Sequence, residues 1–157
     1  MGPSMKLEFN EIAGKPAGAL ETILERCGPA IRRCFPFLPR DSFQSGIAAV
    51  FSITCEGALA GFFWDQKPSG RFRLYGDRET CLVVFPGLRG KGIGGGTLDF
   101  LNRQSEQRFF VVNQKNQSCL RLLGSRAAVI ANEPSYAVFK TCGDRKGITH
   151  PVAAIPG

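Results

Sequence analysis

The spacing of apolar and polar residues along the 157-residue chain sets out strands and helices in turn. Lys6 to Ile12 places Leu7 and Phe9 against Lys6 and Glu8, a two-residue period that predicts a first strand. Leu20, Ile23, Leu24 and Cys27 fall at i, i+3, i+4 and i+7, one apolar face of a helix that Gly28-Pro29 stops. Ile31, Cys34 and Phe35 predict a second, short helix, and Pro36 and Pro39 then break the chain around Phe37-Leu38. Ile47 to Cys55 and Ala58 to Trp64 read as strands joined by Glu56-Gly57, a hairpin. Arg71 to Tyr75 alternates charged and apolar residues and predicts an edge-like strand. Cys81 to Phe85 is a continuous apolar run, a buried strand ended by Pro86-Gly87 because proline cannot donate to a ladder. A helix follows with Ile93, Leu98 and Leu101 inward, then a strand from Phe109 to Val112 and a helix from Asn116 to about Gly124. Ala127 to Ala131 and Tyr136 to Thr141 form the closing strands about Asn132 to Ser135, and a tail containing His150 to Ile155 ends the chain.

Composition adds bounds rather than function. The length predicts one domain over residues 5–157, with Met1 to Ser4 read as an expression remnant. Apolar content of 43% and charged content of 21% are ordinary for a globular protein. No stretch approaches the roughly 20 apolar residues of a membrane span, and no secretory signal opens the chain. Six cysteines without a C-x-x-C pair, beside the single histidine His150, argue against structural zinc and predict free thiols in a reducing, cytoplasmic setting. A formal net charge of +7 draws anions without specificity. Lys67, Arg71, Arg73, Arg78, Arg89 and Lys91 crowd one segment against Asp77 and Glu79. That excess is more than one pyrophosphate needs and reads as a solvated basic surface or, more sharply, as a face for an acidic acceptor or nucleic acid, although no RNA-recognition or zinc-finger signature is present.

The chemistry concentrates between Thr80 and Gln117. Gly92, Gly94, Gly95 and Gly96 crowd the first turn of a helix, where free N–H groups and a partial positive charge suit a phosphate. Arg89 and Lys91 add full charges, so the stretch reads as a pyrophosphate cradle between two strands. Gly90-x-Gly92-x-x-Gly95 matches the dinucleotide fingerprint, but the acidic residue expected at the end of the next strand is missing from Val112-Asn113-Gln114-Lys115. A Walker A loop fails as well, because Lys91 is followed by Gly92 rather than Ser or Thr.

Val84-x-Pro86-x-x-Arg89-Gly90-Lys91-Gly92-Ile93-Gly94 closely resembles motif A of the GNAT superfamily of acetyl-CoA-dependent N-acetyltransferases. The following helix, strand and Asn116 keep the family order. The resemblance implies an α+β (α/β) fold, a mixed and mostly antiparallel central sheet with helices on both faces. It implies acetyl-CoA as co-substrate and an amine acceptor that attacks the thioester directly in a ternary complex. Arg89, Gly90, Lys91, Gly92, Ile93 and Gly94 would hold the pyrophosphate through backbone N–H groups, with Gly95 close by. Val84 and Phe85 would pair with the pantetheine arm, one of their N–H groups facing the thioester oxygen, and Asn116 would bond the pantetheine. Asn116 read alone is also a helix N-cap. Glu79 is the first candidate for the general base, followed by Asp77 and Asp65. Phe35, Phe37 and Phe43 would border the acceptor.

The chain departs from the family at Leu123, where many members place the tyrosine that protonates the departing thiolate; Ser118 or water would have to serve instead. The alternative reading is a non-catalytic acyl-CoA-binding or nucleic-acid-binding protein on a GNAT-like fold. The partners expected are acetyl-CoA and an amine, without a membrane, and the protein would be a monomer or a homodimer.

Overall fold

The computed structural model describes residues 5–12, 21–23, 25–26, 47–68 and 70–141, with side chains of the second strand described from 49 onward. Among the described residues, seven strands are hydrogen-bonded in the order β1-β2-β3-β4-β5-β7-β6. In chain order they are β1 (Leu7–Glu11), β2 (Ile47–Cys55), β3 (Ala58–Gln66), β4 (Glu79–Val84), β5 (Phe109–Asn113), β6 (Ala128–Asn132) and β7 (Tyr136–Lys140). Helix α1 (Ile93–Asn102) joins β4 to β5, and α2 (Gln117–Gly124) joins β5 to β6. β4 and β5 run parallel, while β1–β2, β2–β3, β5–β7 and β6–β7 are antiparallel, so the sheet is mixed and mostly antiparallel as expected.

The described residues divide into two compact units. One takes those up to Lys67 together with Cys81–Gly96, the other takes Pro68–Thr80 and those from Thr97 onward. In the first, Cys55 pairs with Ala58 across a two-residue turn. Glu56 and Gly57 take φ of 52° and 83°, the double positive φ whose twist matches a hairpin. Glu56 also clamps the start of β1: its Oε2 accepts from the Lys6 N–H at 2.7 Å, and its own N–H donates to the Lys6 carbonyl at 2.9 Å. Ile23, Val50, Phe62, Trp64, Cys81, Val83 and Phe85 form a buried cluster. Phe63 points to the other face of β3 and stacks on Phe51 at 4.6 Å.

In the second unit Leu98, Leu101, Phe109, Phe110, Val112, Leu123 and Ala137 to Phe139 are buried. Ile93, Leu98 and Leu101 are all buried, as the helical spacing predicts. The alternation over Arg71 to Tyr75 is not a strand: Gly70–Tyr75 is a 3-10 helix. Its three-residue turn brings Phe72 and Tyr75 to the same side. Phe72 packs edge-on to Tyr136 at 5.2 Å and Tyr75 lies 5.9 Å from Phe109, while Leu74 is left 83% exposed. Gly70, with φ of 57°, starts the turn.

Cys55, Cys81 and Cys119 are free thiols, whereas Cys27, Cys34 and Cys142 lie outside the described residues, as do Phe35, Phe37, Phe43 and the tail from Gly143. Among the described residues no helix is long and apolar enough to cross a membrane.

Candidate functional site

The glycine-rich connection lies wholly in the first unit. β4 ends at Val84, and Pro86–Leu88 closes a 3-10 turn in which the Leu88 N–H donates to the Phe85 carbonyl at 2.9 Å. Arg89 folds back on the strand, its Nε donating to the Val84 carbonyl at 2.9 Å. Gly90 and Gly92 then take φ of 81° and 88°, and α1 begins at Ile93. The Gly96 N–H donates to the Gly92 carbonyl at 2.9 Å, so the intrahelical ladder begins there. Ahead of it stand the N-terminal amides, for which a helix supplies no acceptor.

Two of these glycines answer to the N-terminal strand. A β-carbon on Gly92 would come within 3.3 Å of the Met5 methyl, on top of the backbone strain of its positive φ. A β-carbon on Gly96 would run into Leu7 Cδ1. Gly96 therefore lets β1 approach the first turn of α1 closely, a constraint that the phosphate reading of the sequence missed.

Val84 and Phe85 present themselves differently. The Phe85 N–H donates to the Ala60 carbonyl on β3 at 2.9 Å, and its side chain is 1% exposed within the core cluster. Strand alternation turns the peptide groups of Val84 to the edge of β4 away from β3. Of the pair, Val84 is thus the residue whose backbone faces away from β3, with its carbonyl accepting from Arg89 Nε.

Glu79 and Asn116 belong to the second unit. Glu79 is half-buried at the first position of β4, in register with Phe109, whose N–H donates to the Arg78 carbonyl at 3.0 Å. Asp77 is exposed in the preceding bend, and Asp65, on β3, is 1% exposed. Asn116 caps α2, its Oδ1 accepting from the Cys119 N–H at 3.2 Å. Ser118 is exposed in the first turn of that helix. Two residues upstream of Asn116, Gln114 ties down the turn between β6 and β7. Its Nε2 donates to Asn132 Oδ1 at 2.6 Å, to the Glu133 carbonyl at 2.9 Å and to the Tyr136 carbonyl at 3.2 Å.

No protein-family model matches the sequence, and no curated protein does. Solved structures do. The ribosomal L7/L12 alpha-N-protein acetyltransferase RimL, in complex with coenzyme A, aligns over 88% of this chain and 94% of its own, with a TM-score of 0.62 and 11% identity. The N-acetyltransferase PseH of Campylobacter jejuni, in complex with acetyl coenzyme A, covers 86% and 97% at a TM-score of 0.55 and 12% identity. A GNAT-family acetyltransferase of Bacillus cereus covers 88% and 98% at a TM-score of 0.56 and 14% identity. The chain has the GNAT fold.

On this fold Leu123 is buried in α2. Both tyrosines of the chain lie together elsewhere in the second unit. Partial burial, the hydrogen bond with Tyr136 and the negative charge of Glu133 hold the Tyr75 phenol above its ordinary value, with Arg71 pulling the other way. The sequence named both tyrosines without pairing them. The signal was the i, i+3 spacing of Phe72 and Tyr75, overshadowed by the alternation around it.

Proposed function

We propose that the protein transfers an acetyl group from acetyl-CoA to a primary amine by direct attack in a ternary complex. The observation that carries this reading is the entry to α1. Gly90 and Gly92 at positive φ, Arg89 tied to Val84, exposed Lys91 and the amides ahead of Gly96 compose an anion cradle directly after β4. The residues present fit a pyrophosphate: its charge would meet amides and two cations, and the turn carries no acidic side chain. RimL and PseH, which share the fold, are described with coenzyme A and acetyl coenzyme A.

Acetyl-CoA, when bound, supplies the acetyl group and a thiolate that leaves readily. The chain supplies the rest. Arg89 to Gly94 would bind the phosphates, the Val84 backbone would align the pantetheine arm, and Asn116 would hold that arm from the cap of α2. Glu79 would take the proton of the acceptor ammonium, since only the neutral amine attacks.

One observation favours a second reading. Leu123 cannot act as an acid, which suits a protein that holds acyl-CoA without turning it over. Thiol release from acetyl-CoA across a panel of primary amines, alongside the thermal shift induced by acetyl-CoA, decides between them. Amine-dependent thiol release is expected. A thermal shift without release supports the binding reading, and the absence of any shift at millimolar acetyl-CoA removes both.

A further inference from the structure

Arg26 is anchored in the first unit by a ring contact, and among the described residues its guanidinium makes no hydrogen bond. It is one of the described helical residues 21–23 and 25–26, is exposed, and places its guanidinium carbon 4.3 Å from the centre of the Phe85 ring. That ring is itself held, edge-to-face with Phe62 at 6.0 Å and buried in the core cluster. The cation is attracted by the ring quadrupole, a contact that consumes none of the five guanidinium N–H donors. The helix offers it no ion pair, because the positions three and four residues back are Ile23 and Thr22. Among the described residues no carboxylate pairs with Arg26. Arg89, by contrast, spends its Nε on Val84.

A guanidinium fixed on an aromatic ring with its donors vacant is prepared for a planar oxyanion, which it meets with two parallel hydrogen bonds. Phe85 directly follows Val84, so this charge is anchored one residue beyond the backbone assigned to the acetyl donor's arm. We propose that Arg26 is a specificity-determining residue that receives a carboxylate carried by the acceptor amine. The inference rests on the acetyltransferase reading above and narrows its substrate class to amines that also bear an acidic group.

The test compares 4-aminobutyrate with butylamine as acceptors, in the wild type and in Arg26→Gln and Arg26→Lys. The ratio of kcat/KM for 4-aminobutyrate over butylamine is expected to favour the acid in the wild type. It should fall by about 10- to 100-fold in Arg26→Gln, the range of a charge-assisted hydrogen bond, and recover in part in Arg26→Lys. A wild type without that preference, or a preference unchanged in Arg26→Gln, overturns the proposal. So does a rise in KM for acetyl-CoA with the preference intact, which assigns the charge to a coenzyme phosphate.

Glutarate, which has no amine, provides a separate readout by thermal shift with coenzyme A present. If no amine is acetylated but glutarate stabilises the wild type and not Arg26→Gln, the acetyltransferase reading fails and the anion site stands. If neither turnover nor a glutarate shift is seen, the anion site fails as well.

Discussion

The terminal methyl of Met5 stands 3.3 Å from the point that a β-carbon on Gly92 would occupy. A side chain at 92 would thus head toward the N-terminal strand. The main cost of Gly92→Ala is torsional, since φ of 88° costs an L-residue about 1–2 kcal/mol. Gly92→Ala is expected to lower unfolding stability by about 1 kcal/mol in urea titration and to weaken acetyl-CoA binding by tilting the cradle amides. Met5→Ala in the same chain should not restore either. Restoration would mean that the contact, not the backbone, is what forbids a side chain.

Arg89 has two possible duties, charge toward a phosphate and closure of the turn onto Val84. Arg89→Lys keeps the charge and removes the Nε donor. Acetyl-CoA affinity measured by calorimetry should fall in Arg89→Lys and fall further in Arg89→Ala. A lysine variant equal to wild type would reduce the Val84 bond to an incidental contact. With the wild type, acetyl-CoA at 100 times its dissociation constant should add about 2.7 kcal/mol of stability.

Asn116 can be asked the same question. As a cap it accepts from the Cys119 N–H, a role that serine also fills. Asn116→Ala should cost about 1 kcal/mol, and Asn116→Ser little. If Asn116 also holds the pantetheine arm, Asn116→Ser will raise KM for acetyl-CoA while the melting temperature stays put. An unchanged KM leaves Asn116 as a cap alone.

Glu79→Gln should lower kcat by about 100-fold or more, the usual contribution of a positioned base, and leave acetyl-CoA affinity intact. Loss of the base should show in the pH–rate profile as well, since the remaining rate depends on the fraction of amine already neutral. Full activity from pH 6 to pH 9 would move the role to Asp77, Asp65 or water.

The glycine turn was legible because its signals are local. Positive-φ glycines, a strand-ending proline and an N-cap asparagine act within a few residues of themselves. The Glu56-Gly57 hairpin was legible for the same reason. Arg71 to Tyr75 misled because its two-residue alternation is also compatible with a tighter helix. What decided it was packing of Phe72 and Tyr75 on Tyr136 and Phe109, distant in sequence. The contacts of Leu7 with Gly96 and of Arg26 with Phe85 are likewise long-range, and no local pattern announces them.

Tyr75 gives a prediction with a fixed sign. Its phenol is raised above 10.0 in the folded state, chiefly by partial burial and then by Tyr136, so the unfolded chain releases that proton first as pH climbs. The stabilisation is complete below about pH 10 and drains away as pH rises toward and through the folded value. Urea midpoints between pH 8 and pH 11 should therefore fall less steeply for Tyr75→Phe than for the wild type. Parallel curves would show that the hydroxyl titrates alike in both states.

Met5 is 36% exposed, held by the clamp that Glu56 places on Lys6 and seated against Gly92. The chain has only two methionines, Met1 and Met5. Protein labelled with carbon-13 at the methionine methyls should thus give a two-peak spectrum, one peak of which sits beside the Gly90–Gly92 turn. The molecule carries its own spectroscopic reporter at that turn, able to follow ligand arrival in solution without a dye, a tag or a coupled assay.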